Sequence, residues 1–159
     1  MNVKLDDVIL FRDDEGSVTI KGIADLKDDT IWTTQKAMAE FFKKDPRTIG
    51  NHLNNIFKSE ELVKREVTID PRKEGFIVNP DSKKQPVLYN LDALISVGFR
   101  INSTQAIRFR RWAIRIIRDY IIKGFVLDVE ALKNEVSIEV SYFSQLEEQV
   151  QEISKSRKL

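Results

Sequence analysis

The chain has no cysteine and only one histidine, His52, among its 159 residues. The missing thiols exclude disulfides, thiolate zinc sites and cysteine nucleophiles, and one imidazole leaves paired-histidine metal motifs and a histidine-based triad without support. Glycine (6) and proline (4) are too scarce for a collagen-like or low-complexity chain. No segment approaches the roughly 18 unbroken apolar residues of a membrane span, and the N-terminal stretch MNVKLDDVILFRDDEG is acidic where a signal peptide needs a basic flank. The acidic groups Asp13-Asp14-Glu15 and Asp28-Asp29 stand beside turn signals and lack the alternating spacing of a Ca²⁺ loop. The expectation is a soluble, cytoplasmic protein with no cofactor, no metal and no membrane partner, and an enzymatic role is the reading with least support.

What is present is 42% apolar and 9% aromatic residues, enough for a core, with a net charge of only +1. Cutting the chain into segments is more informative. Residues 1–30 carry 4 basic and 8 acidic side chains, residues 31–125 carry 18 and 10, and residues 126–159 carry 4 and 7. A polyanion would therefore bind the middle segment. The length suits one domain with an appendage: a winged-helix-like DNA-binding domain over residues 1–125 and an acidic, helical, coiled-coil-like segment over 126–159.

The expected fold class is α+β. Val8 to Phe11 and Ser17 to Ile20 read as a hairpin with Gly16 at its turn. Ile31-Trp32 is a third strand candidate after a turn at Asp28-Asp29. At Thr34, a good N-cap, the apolar period changes to helical, with Ala37, Met38, Phe41 and Phe42 on one face. Asp45-Pro46 restarts a helix after the turn Lys43-Lys44. Residues from about Val63 to Tyr89 hold three of the four prolines and read as a hairpin with a long irregular loop. Asn90 caps a helix to about Phe99, and Ser103 caps a longer one that runs through Lys123 to Gly124.

Two constellations carry the chemistry. Gln35 to Asn54 has the layout of a helix-turn-helix, with Ala39 where the helices cross and Met38, Phe42 and Ile49 as shared core. Its second helix gathers Ile49, Leu53 and Ile56 within roughly 60° and presents Arg47, Asn51, Asn54 and Lys58 opposite. Such side chains suit a major groove, where arginine reads guanine and asparagine reads adenine. Arg47, Thr48, Asn51 and Asn54 are therefore the expected base contacts, and Lys43, Lys44 and Lys58 the flanking phosphate contacts. A merely solvated polar face is the plain alternative, against which stand three asparagines in five positions (Asn51, Asn54, Asn55), all poor helix formers. Lys43 occupies the turn position usually given to glycine, which predicts a strained turn. His52 flanks the apolar face and reads as a packed histidine.

The second constellation is the long helix. Phe109, Trp112, Ala113, Ile116, Ile117 and Tyr120 form the expected apolar stripe, with Arg108, Arg111, Arg115 and Arg118 almost opposite. These arginines either meet phosphates or pair with the acidic terminal segments. Lys83 and Lys84 are wing candidates. In the acidic segment Leu132, Val136, Phe143, Leu146, Val150 and Ile153 follow heptad-like spacing, which suits a dimerisation seam; Val136, Ile138, Val140 and Tyr142 also alternate, so its first half reads equally as a strand. Together these features predict a sequence-specific, dimeric binder of double-stranded DNA. The competing reading is a protein-interaction module that engages a partner protein through the same helices.

The segments Ile31 to Phe42, Ile49 to Lys58, Tyr89 to Ser103 (YNLDALISVGFRINS), Phe109-Arg-Arg-Trp-Ala113 and Tyr120-Ile-Ile-Lys-Gly124 resemble the RhuM virulence-protein family over about residues 5–157. The resemblance implies a virulence-associated DNA-binding protein of bacterial mobile elements and supplies no reaction. The Phe-Arg-Arg-Trp helix is more loosely similar to the Bro-N modules of phage antirepressors, a likeness that implies DNA contact by Arg110 and Arg111. Family members usually continue beyond a point equivalent to Leu159, so the resemblance also implies a truncated chain.

Overall fold

The computed structural model describes residues 2–134 and 137–156. Strands β1 (Asp6–Asp13) and β2 (Gly16–Asp25) form the N-terminal hairpin, with Asp13 opposite Gly16 and the two-residue turn Asp14-Glu15 between them. Gly16 has φ 116°, a conformation that glycine alone adopts cheaply. A bulge between Ile9 and Phe11 shifts the register so that Phe11, Val18 and Ile20 share the buried face. Strand β3 (Thr30–Thr34) pairs with β2, and Gly22 is required there, since a Cβ on it would lie 2.8 Å from the Trp32 carbonyl oxygen.

Helix α1 (Gln35–Phe42) starts where expected, its Ala37 N–H donating to the Thr34 hydroxyl at 3.0 Å. Helix α2 (Pro46–Lys58) begins behind Asp45, whose carboxylate accepts from the Arg47 N–H at 2.7 Å. The short helix α3 (Lys64–Val67), strand β4 (Thr68–Ile69), short helix α4 (Pro71–Glu74) and strand β5 (Leu88–Tyr89) follow. The expected hairpin over 63–89 is thus only a two-residue antiparallel pairing, and α3 and α4 replace part of what read as strand or loop. β5 also pairs with β3, giving an antiparallel sheet in the order β1-β2-β3-β5-β4, with α1 and α2 inserted between its third and fourth strands in sequence.

Helices α5 (Leu91–Gly98) and α6 (Thr104–Lys123) are capped by Asn90 and Ser103, and α6 ends before Gly124 at φ 81°. Phe109 on α6 is the hub of the core. Its ring packs edge-on against Phe11, Phe42 and Phe99 and tilts against Trp112, joining the hairpin, the helix pair and α5. The core itself contains Met38, Phe42, Ile49, Leu53, Ile56, Leu94 and Val97.

The chain divides into two compact units, Met1–Ile117 and Arg118–Leu159. The second holds the end of α6, helix α7 (Val129–Asn134) and helix α8 (Ser137–Ser156). Because α8 is helical from Ser137 onward, the strand alternative for the start of this segment is not adopted. No helix among the described residues is long and apolar enough to cross a membrane.

Candidate nucleic-acid interface

The geometry of α2 follows from its sequence. Ile49, Leu53 and Ile56 are buried, and Arg47, Asn51, Asn54, Asn55 and Lys58 are exposed on the opposite side, with Thr48 half-buried at the edge. No carboxylate occurs within the helix. One device that sets its pose was not foreseen. The Gln35 amide donates to the Pro46 carbonyl at 2.7 Å and lies over Gly50, where a Cβ would come within 2.7 Å of it. A glycine in mid-helix, disfavoured by propensity, was the available signal.

The turn between α1 and α2 is closed by Lys43 at φ 56°, ψ 49°, the left-handed region predicted for this position. The Lys43 and Lys44 N–H groups both donate to the Ala39 carbonyl, so the turn is a helix-ending left-handed cap with a lysine where glycine is preferred. Lys43 is exposed and Lys44 half-exposed. They line a shallow cleft of about 490 Å³ with Lys36 and Thr48, and Glu40 and Asp45 share its wall. His52 is half-buried on the α2 flank, and burial first, then the Arg100 charge, lower its pKa.

The arginine row of α6 divides. Arg108 grips the β1–β2 turn: its Nε donates to Asp13 Oδ2 at 2.6 Å and lies 3.0 Å from Glu15 Oε2, its second amine also bonds Asp13, and its guanidinium stands 5.7 Å from the centre of the Phe11 ring. This bond, chiefly, holds the Asp13 carboxyl below the usual carboxylate range and raises the Arg108 pKa. Arg110 donates to the carbonyls of Gly98 and Ile101 at 2.9 and 2.6 Å, satisfying one acceptor at the end of α5 and one in the turn that follows it. The phosphate roles expected for Arg108 and Arg110 are therefore withdrawn, because both guanidinium groups are committed inside the fold. Arg111 and Arg115 are exposed and form no ion pair among the described residues, although Arg115 is close enough to Asp13 to help depress its pKa. Arg118 is exposed at the start of the second unit.

Lys83 and Lys84 project from the loop between β4 and β5, both exposed. The loop is shaped by buried Gln85, whose amide oxygen accepts from Val78 and Asn79 N–H at 2.8 Å and whose nitrogen donates to Asn79 and Ser82 carbonyls. Of the expected dimer seam, Leu132 falls on α7 and Phe143, Leu146, Val150 and Ile153 on α8; Leu146 is half-buried and Val150 and Ile153 are exposed, while Val136 lies outside the described residues. The expected apolar stripe of α6 is buried or half-buried through its first four residues and exposed at its last two. Ala106, Phe109 and Ala113 are the helix's buried residues, Trp112 and Ile116 are half-buried, and Ile117 and Tyr120 are exposed rather than packed.

No curated protein and no solved structure matches the chain. A family model matches residues 72–159, more than half of the chain but none of the α1–α2 pair, so the geometry of α2 stands on its own residues. On that match the chain belongs to the virulence protein RhuM family.

Proposed function

We propose that the protein is a sequence-specific binder of duplex DNA that acts as a dimer, a cytoplasmic regulator associated with a bacterial mobile element. The reading is carried by one observation: α2 exposes Arg47, Asn51, Asn54 and Lys58 along one side, with no carboxylate on the helix, while its other side is locked into the core. In this reading α1 and α2 are a helix-turn-helix, α2 lies in the major groove, and Arg47, Thr48, Asn51 and Asn54 touch base edges. The β4–β5 pair with its long loop is the wing, and Lys83 and Lys84 reach the flanking backbone. Lys43, Lys44, Lys58, Arg111 and Arg115 hold phosphates, with Arg118 at the end of their row.

Selection of the intact protein against a random duplex pool tests this. The expected result is enrichment of a two-fold sequence with half-sites about 10 base pairs apart, bound on the order of 10³-fold or more above random duplex. A pool that stays random through repeated rounds would refute DNA reading. The protein-interaction reading, in which the helix-turn-helix or the acidic helical segment engages a partner protein, would then take its place.

A further inference from the structure

Helix α6 carries a second apolar row that the core does not use. Ile107, Ile114, Ile117 and Ile121 are 40%, 56%, 53% and 72% exposed, at separations of seven, three and four residues. That is the a/d spacing of a helix-pairing seam, extending over about 21 Å of helix. The remaining seam position, between Ile107 and Ile114, is Arg110, whose guanidinium is withdrawn to the Gly98 and Ile101 carbonyls, so no free charge interrupts the row.

From this we infer that α6 pairs with α6 of a second copy, antiparallel, with the two-fold axis passing beside Ile114. The row is centred for this purpose. Ile107 lies seven residues before Ile114 and Ile121 seven after, so in an antiparallel pair Ile114 meets its own counterpart and Ile107 meets the partner's Ile121. The four side chains expose on the order of 400 Å² of apolar surface, close to the roughly 450 Å² apolar share of one side of a standard interface.

The other faces of α6 fix the orientation. On a helical wheel at 100° per residue, the buried residues Ala106, Phe109 and Ala113 lie roughly 90° to one side of the seam, and Arg111, Arg115 and Arg118 lie roughly 80° to the other. A two-fold axis perpendicular to antiparallel helices keeps each face on its own side. Both globular bodies then fall below the pair, and both arginine rows emerge together above it. Parallel pairing would instead turn each arginine row toward the other copy's body, burying charges without partners. The pairing does not depend on DNA binding.

The natural absence of cysteine makes a direct test possible. Ile114→Cys and, separately, Ile122→Cys are introduced into the full chain, and Ile122, 77% exposed, lies away from the seam on the same helix. Under mild oxidation Ile114→Cys should form a disulfide-linked dimer in high yield and Ile122→Cys little. Equal yields, or no dimer with Ile114→Cys, would overturn the proposal. In sedimentation equilibrium without oxidant, Ile114→Glu combined with Ile117→Glu should weaken self-association at least tenfold while leaving Tm within a few degrees, because neither side chain is buried. A dimer as tight as the wild type's, or a monomeric wild type, would overturn it as well. A monomeric Ile114→Cys variant whose thiol resists alkylation would mean that the row is covered within the chain.

Discussion

The division of the arginine row yields a quantitative prediction. Arg111 and Arg115 form no ion pair among the described residues, whereas Arg108 is held by Asp13 and Glu15. If the first two each neutralise one phosphate, their joint replacement by alanine removes two released counterions, and the slope of log K against log salt flattens by about 1.8. Between 50 and 200 mM salt the wild type should then lose about twelvefold more affinity than the double variant. The effect should be the same on preferred and random duplexes, since phosphates carry no sequence. Arg108→Ala should leave the slope untouched and instead lower Tm, because the β1–β2 turn loses its clamp on α6. Fluorescence anisotropy over a salt series and a thermal melt read both quantities. A double variant with an unchanged slope, or an Arg108 variant that flattens it equally, would refute the division.

Other perturbations test the framework around the site. Phe109→Ala, at 1% exposure in contact with four other aromatic rings, should cost on the order of 3–5 kcal/mol in urea unfolding, a large part of the about 5–15 kcal/mol of a typical domain. Lys43→Gly relieves a left-handed lysine and should stabilise the fold by about 0.5–1 kcal/mol in the same assay, while removing one cation beside the proposed interface. Asp13→Asn should destabilise in a pH-dependent way. The folded-state pKa of Asp13 is depressed, so its contribution is present above the ordinary carboxylate range and disappears as pH falls through the depressed value; wild-type and variant Tm curves should converge in acid and separate toward neutrality.

The parts of this structure that were legible in the sequence are those fixed by near neighbours. Thr34, Asp45, Asn90 and Ser103 each cap a helix through a bond to a backbone N–H two or three residues on, while Gly124 ends α6 and Gly16 closes the β1–β2 turn by backbone conformation. The buried and exposed sides of α2 were equally readable, because its polar and apolar residues separate cleanly around the helix. The fate of Arg108 was not, since its partner Asp13 is 95 residues away and nothing local distinguishes it from Arg111. Arg110 was misread for a related reason: it serves carbonyls at a corner whose path no periodicity reveals. The inward face of α6 was legible, since Phe109, Trp112, Ala113 and Ile116 are buried or half-buried, but periodicity does not show how far along a helix the core extends, and Ile117 and Tyr120 are exposed. β4 and β5 are two residues each, with β5 paired to the distant β3 and β4 only to β5, a signal too short for alternation to carry.

The central claim is that α2 reads bases, and Asn51, exposed one turn beyond Arg47 and opposite buried Ile49 and Leu53, is its most direct test. The measurement is the affinity of Asn51→Ala relative to wild type on the selected duplex and on a scrambled duplex of the same length and salt. The account predicts a loss of about 1–3 kcal/mol on the selected duplex and little change on the scrambled one. Equal losses on both, or none on either, would contradict it.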